Sequence, residues 1–258
     1  MSALALTMRS RTRGHLLIER NLLVYRHAWM TIFSGFFEPV FYLFSIGIGL
    51  GHFVARIHGV SYASYVAPAL LASSAMNGAL NDALTNVFWK LRYGKVYESV
   101  LATPLGPGDV AVGETTWAQI RGVLYAIGFI VTVAAFGLLQ SWWALLALPA
   151  AMVVGFSFAG VGIGVSTFMR TWQDLELVQV VQLPMFLFSG TFYPLSVYPT
   201  ALQWLVRFSP LYHAITLVRA FTLGTAGPYQ LVDAGYLAVL GLFGIWLARR
   251  RMSRLLLT

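Results

Sequence analysis

The residues of this chain that could do chemistry are few, and their spacing excludes most covalent chemistry. The 258 residues include no cysteine, which excludes disulfides, thiolate metal sites and thiol catalysis. The five histidines, His15, His27, His52, His58 and His213, are dispersed. No H-E-x-x-H sets two of them on one helix face, and no metal site is expected. A G-x-S-x-G elbow is missing too. Ser189 and His213 can be imagined as an intramembrane hydrolase pair, but each has a commoner role in helix packing or at an interface. The phosphate-cradling G-x-x-x-x-G-K-[ST] loop does not occur: Gly94-Lys95 is followed by Val96, and Trp89 stands where the first glycine is required. What remains is non-covalent. Asn77, Asn81 and Thr85 recur at i, i+4 and i+8 with Asp82 adjacent, and Gln179, Gln182, Phe186 and Ser189 form a similar stripe. Such stripes serve either a permeation path or a seam between helices. Glu38, followed by Pro39, and Asp82 lie in apolar surroundings, where a carboxylate costs about 2.5 to 3.5 kcal/mol at the centre of a bilayer. Glu38 is either a hinge or pathway residue or a carboxylate bonded to a neighbouring helix.

The elements carrying these residues are apolar and long. The composition is 58% hydrophobic and only 10% charged, with a mean hydropathy of +0.72, against about 25% charged residues in ordinary globular domains. Six segments meet the roughly 20-residue requirement of a spanning helix: about Trp29 to Val54, Tyr62 to Phe88, Trp117 to Leu139, Trp142 to Phe168, Leu175 to Phe192, and Leu231 to Ala248. The fold class expected is an all-α membrane protein with six transmembrane helices. Arg-bearing residues precede the first span and no A-x-A site closes a short apolar core, so no cleaved signal peptide is expected. With both termini in the cytoplasm, 14 of the 17 basic residues lie inside and only Arg56, Arg207 and Arg219 outside, as the positive-inside tendency requires. The net charge of +8 therefore reports membrane orientation, and nucleic acid is not an expected partner. No linker or repeat divides the chain: residues 1–258 read as one domain, with a cytoplasmic or interfacial stretch at 1–28, a membrane domain at 29–248 and a basic tail at 249–258. Gly47, Gly49 and Gly51, and Gly160 with Gly164, read as sites of close helix approach.

Three segments between the spans carry further signals. Ile18, Leu22, Tyr25 and Trp29 fall on one helical stripe with Arg13, Arg20 and His27 opposite, which reads as an interfacial helix or a basic topogenic flank. Lys90 to Thr116 is the cytoplasmic loop long enough for a structured element. A short helix from about Tyr93 to Ala102, ended by Pro104, sets Val96, Val100 and Leu101 on one face and leaves Lys95, Glu98 and Ser99 to a partner or to water. Residues 190–224 are apolar yet cut by Pro194, Pro199 and Pro210 into pieces too short to span. They predict two short re-entrant or interfacial helices, with faces Leu202/Leu205/Val206 and Leu211/Ile215/Val218.

Several of these stretches together resemble the permease subunits of the ABC-2 class of ATP-driven exporters. The likeness lies in Phe-Leu-Phe-Ser-Gly-Thr-Phe-Tyr-Pro-Leu (186–195), Pro199, Trp204, Ser-Pro-Leu-Tyr-His-Ala (209–214) and Leu-Val-Arg (217–219). Phe-Glu-Pro-Val (37–40) and Glu-Ser-Val-Leu-Ala-Thr-Pro-Leu (98–105) add to it. The chain is most similar to the branch with nodulation lipo-oligosaccharide and daunorubicin-type exporters. The resemblance implies a permease that pairs with a second permease, identical or paralogous, and with two ATP-binding-cassette subunits that hold ATP and magnesium, this chain binding no cofactor itself. It makes the loop of Tyr93, Lys95, Val96, Glu98, Ser99, Leu101 and Thr103 a coupling element docked on the ATPase. The helix around Arg13, Ile18, Arg20, Leu22 and Tyr25 then lies at the cytoplasmic surface of a bacterial inner membrane. Glu38, Pro39, Asn77, Asn81, Asp82, Gln179 and Gln182 are the candidate pathway or hinge residues, and Gly190, Pro194, Pro199, Pro210, His213 and Arg219 mark the re-entrant region. The alternative is an autonomous secondary transporter or channel.

Overall fold

A computed structural model describes residues 14–26, 37, 39–54, 56–57, 59–139 and 141–256. Within them the helices are α1 (His15–Tyr25), α2 (Tyr62–Arg92), α3 (Val96–Leu101), α4 (Pro107–Ala135), α5 (Ala147–Ser166), α6 (Gln173–Phe188), α7 (Thr200–Arg207), α8 (Pro210–Leu223) and α9 (Tyr229–Leu256). Short 3-10 or π turns cover Leu43–Ile48, Leu50–His52, Trp142–Leu146 and Leu195–Val197. The described residues contain no strand, only an isolated bridge between Ile57 and Val60. Arg13 and Glu38 lie outside the described residues, as do His27 and Trp29 of the predicted interfacial stripe.

Among the described residues, three helices are long and apolar enough to cross a membrane: Pro107–Ala135, Trp142–Ser166 and Tyr229–Leu256. The chain is an integral membrane protein by this measure. The 31 residues of α2 span about 46 Å at 1.5 Å per residue, but Ser73, Ser74, Asn77, Asn81 and Asp82 dilute its apolar character. That helix is the centre of the molecule instead. Ser61 caps it, its hydroxyl oxygen accepting from Ser64 N at 3.2 Å, and most of its residues are buried against α4, α5 and α8.

Close approach of backbones sets the rest of the bundle. A Cβ on Gly160 or Gly244 would collide with the facing backbone of α9 or α5, and one on Gly78 or Gly122 would meet the opposite helix of the α2–α4 pair. The packing role expected of Gly160 and Gly164 holds, Gly164 lying against Gly244. Gly49 and Gly51 have open space where a Cβ would stand, so that part of the expectation is corrected: these two seat no neighbouring helix among the described residues.

Boundaries moved where local chemistry outweighs hydropathy. The third apolar segment was expected from Trp117, but α4 begins ten residues earlier, because Pro107 occupies its first turn and Asp109 Oδ2 accepts from Gly106 N at 3.0 Å. The fifth segment ends at Phe188 rather than Phe192, since Gly190 turns left-handed at φ 75°. The basic tail is not separate: α9 runs on to Leu256, with Arg251 over the Phe168 ring at 3.9 Å. Between α6 and α9 two short helices form, as the prolines predicted. Leu211, Ile215 and Val218 are fully buried, whereas of the first face only Val206 is buried and Leu205 is exposed. Pro199 and Pro210 sit at helix starts, where a missing N–H costs nothing.

Candidate functional site

On α2 the residues at 77, 81, 85 and 89 form the open strip of a helix that is otherwise sealed. The polar spacing read from the sequence is therefore the face left uncovered. Asn77 and Asn81 line a crevice of about 270 Å³ together with Ser73, Pro39, Tyr42 and, from α6, Gln179 and Gln182. Gln182 Nε2 donates to Asn77 Oδ1 at 2.8 Å and ties the two walls. Thr85 leaves the set by bonding the Asn81 carbonyl of its own helix at 2.7 Å. The α6 wall has no buried residue and carries Leu177, Val180 and Val181 outward, each about two-thirds exposed. Among the described residues the crevice offers hydrogen-bond donors and acceptors and no ionised group.

Asp82 does not join the crevice, which corrects the expectation for it. It is buried on the opposite side of α2 and pairs with Arg121 of α4, whose other amino group donates to Tyr125 Oη at 3.2 Å. Two turns further along the same seam, Lys90 Nζ donates to Glu114 Oε1 at 2.8 Å and to Asn21 Oδ1 at 2.9 Å, while Asn21 Nδ2 donates to Glu114 Oε2 at 3.1 Å. Burying such pairs is tolerable because each charge meets its opposite and further hydrogen bonds to Tyr125 and Asn21 add to them. Neither pair was read from the sequence, since Glu114 stood in a presumed loop. The signal existed: Asp82 and Lys90 are eight apart, Glu114 and Arg121 seven apart, so each couple shares a helix face with the signs reversed between helices.

The loop after α2 is fastened to this seam. Its helix α3 is shorter than expected, because Lys95 turns left-handed at φ 46° before it. Val96, Val100 and Leu101 are only half-buried; the side chain driven inward is Tyr97, fully buried. The Tyr97 hydroxyl faces the Glu114 carboxylate, and burial, reinforced by that negative charge, pushes the phenol well above its usual pKa. Lys95, Glu98, Ser99 and Thr103 are exposed, and the Lys95–Glu98 approach of 3.9 Å is a surface pair worth little. Tyr93 stacks on Trp172, just before α6, at 5.8 Å. On α1 the packed face is Gly14, Leu17 and Asn21 rather than the predicted stripe: Ile18 is half-buried and Leu22 exposed, because Asn21 is drawn into the Lys90–Glu114 network. Arg20 is half-buried, and nothing is described of the Tyr25 side chain.

At the other end, Arg219 gathers the proline-cut region. Its guanidinium lies 4.0 Å from the centre of the Tyr65 ring, and Nη2 donates to the Gly190 carbonyl at 2.9 Å. Ser189 and His213 do not meet. Ser189 pairs with Ser209 at 2.6 Å, and the His213 ring bonds Asp233 through Nδ1 at 2.7 Å and the Arg207 carbonyl through Nε2 at 2.9 Å. With both ring nitrogens engaged, His213 pins α8 to α9. Pro194 precedes the turn Leu195–Val197.

A bundle of membrane-crossing helices with an uncovered amide crevice and a buried ionic seam defines a membrane permease. Residues 13–223 match the family described as ABC-2 type transporter, and the chain belongs to that family, the membrane component of transporters that partner with an ATP-binding-cassette subunit. It is 34% identical over 243 residues to Nodulation protein J of Rhizobium leguminosarum bv. viciae, covering 92% of this chain and 93% of that one. It is 31% identical to Nodulation protein J of Bradyrhizobium diazoefficiens, covering 92% of each. Similarity extends to the inner membrane transport permease YadH of Escherichia coli, at 27% identity over 77% of each chain.

Proposed function

We propose that the chain is the transmembrane subunit of an ATP-driven exporter that moves an amphipathic, lipid-linked or drug-like molecule outward across a bacterial inner membrane. The reading has six spans, with the first partly outside the described residues, both termini in the cytoplasm, and the segment 190–224 re-entering from the outer side. Two ATP-binding-cassette subunits hold ATP and magnesium, and a second permease, identical or paralogous, completes the path.

The observation that carries this reading is the open amide strip of α2. Asn81 is exposed and Asn77 half-buried against Gln182 on a helix otherwise mostly sealed by its neighbours, and amide hydrogen-bonding capacity left unmet against lipid is costly. A second permease half or a wetted path relieves that cost. The bare flank of α6 beside it supports the same arrangement. The exposed Lys95, Glu98, Ser99 and Thr103 supply a polar docking face for the ATPase, and Tyr97 fastens that face to α2 and α4.

Co-purification with a candidate ATP-binding-cassette subunit tests the reading. A stable complex hydrolysing ATP in lipid, weakened by the charge reversal Lys95→Glu/Glu98→Lys, is the expected result. A monodisperse chain that binds no such subunit would identify an autonomous transporter or channel instead.

A further inference from the structure

A second cavity of about 360 Å³ lies at the opposite end of α6 from the cytoplasmic loop, lined by Tyr62, Tyr193, Tyr198, Phe188, Phe192 and Leu50 among others. It is separate from the amide crevice. Phe186 lines the crevice and Phe192 lines the cavity; their rings meet edge to face at 5.4 Å, and Tyr42 closes on Phe186 at 5.6 Å. These three rings are the partition between the two spaces.

Two hydroxyls of this cavity are left over. Tyr62 is 2% exposed, and its Oη, like that of Tyr198, is buried without a hydrogen-bond partner among the described residues. Tyr193 lines the same cavity beside both phenols. Buried hydroxyls are normally satisfied, and an orphan in a cavity wall points to a missing partner. The wall that presents them is built firmly: Gln203 donates to the Tyr198 carbonyl at 2.8 Å, Thr191 to the Phe186 carbonyl at 2.6 Å, and Arg219 holds Gly190.

We propose that this tyrosine-walled cavity is an outer binding site for an uncharged amphiphile. An apolar or ring-shaped body packs on Phe188, Phe192 and Tyr193, and a neutral oxygen accepts from Tyr62 and Tyr198. The volume is at the lower end of small-molecule sites. Among the described residues its walls are aromatic or aliphatic and their only polar side-chain groups are phenols, which are neutral at physiological pH; an ion there would meet no counter-charge among them. Its role as the station after the amide crevice rests on the exporter reading, but occupancy does not require the ATPase.

The test is photolabelling of the full chain in lipid nanodiscs, without any ATP-binding subunit, by 4-(hydroxymethyl)benzophenone, with adducts mapped by mass spectrometry. Saturable adducts on residues 187–198 or beside Tyr62 are expected, with half-saturation about tenfold weaker in Tyr62→Phe/Tyr198→Phe, which keeps both rings and removes only the two donors. On the unaltered chain, diphenylmethane, which has both rings and no oxygen, should compete about tenfold more weakly than 4-(hydroxymethyl)benzophenone, and anionic 4-benzoylbenzoate should not label the cavity saturably. Unsaturable adducts spread along α9, saturable adducts at 77–81 instead, equal competition by diphenylmethane, or equal half-saturation in the parent and the phenylalanine variant would overturn the site. Failure of the exporter reading shows separately, as absence of a complex with the ATP-binding subunit.

Discussion

Lys90 and Glu114 are paired at 2.8 Å across the α2–α4 seam, with side chains 6% and 0% exposed. The pair gathers four elements, because Asn21 of α1 bonds both members and Tyr97 of α3 packs beside them. Removing one member leaves a buried charge without its counter-charge, at a cost of about 3 to 5 kcal/mol. Glu114→Ala is therefore expected to lower the thermal unfolding midpoint sharply, and Lys90→Met/Glu114→Leu to recover most of the loss. Equal midpoints for Glu114→Ala and the parent would show that the pair is not shielded.

Tyr97 separates shape from hydroxyl chemistry. Its Oη reaches the Glu114 carboxylate only as a weak hydrogen bond outside standard geometry, so Tyr97→Phe should change stability by no more than about 1.5 kcal/mol. Tyr97→Ala empties a fully buried site and should cost about 3 to 5 kcal/mol, freeing the loop from the seam. Limited proteolysis between α2 and α4 reads the difference: rapid cleavage of the alanine variant only is the expected pattern.

The α5–α9 contact depends on the absence of side chains at Gly160 and Gly244, where a Cβ would run into backbone rather than into a yielding side chain. Gly160→Val should destabilise by at least the 1 to 3 kcal/mol typical of overpacking, on the order of 3 kcal/mol. The same change at Gly51, where space is open, should leave the unfolding midpoint within a degree or two of the parent.

Asp174, just before the apolar stretch of α6, accepts from Arg170 N at 2.6 Å and Thr171 N at 3.1 Å. Those two bonds favour the carboxylate and hold its pKa below the ordinary value. A depressed folded-state pKa means that the contribution is complete above the ordinary aspartate range and is lost as pH falls through the folded value. Hydrogen exchange at Arg170 and Thr171, corrected for the intrinsic pH dependence, should stay protected at neutral pH and lose protection only in acid below that range. Asp174→Asn should weaken the protection at neutral pH; an unaltered pH profile in that variant would refute the assignment.

The sequence by itself determined the membrane class, the approximate positions of the apolar segments, the breaks at Pro199 and Pro210 and the amide strip of α2. Each depends on neighbours in the chain: helical periodicity places 77, 81 and 85 on one face whatever surrounds them, and a proline sets its own φ and lacks its own N–H. Only the tertiary structure decided which polar residues are open and which are sealed. Asp82 is one residue from Asn81 yet points the other way, into Arg121, because a step of about 100° around the helix carries it from the crevice to the seam. The start of α4 at Pro107 made Glu114 a helix residue facing Lys90, and a partner 24 positions away is beyond the reach of local periodicity. The inward turn of Tyr97 and the choice of Asn21 over Ile18 on α1 follow from that same buried pair, whose unsatisfied hydrogen-bonding capacity selected the neighbours able to meet it.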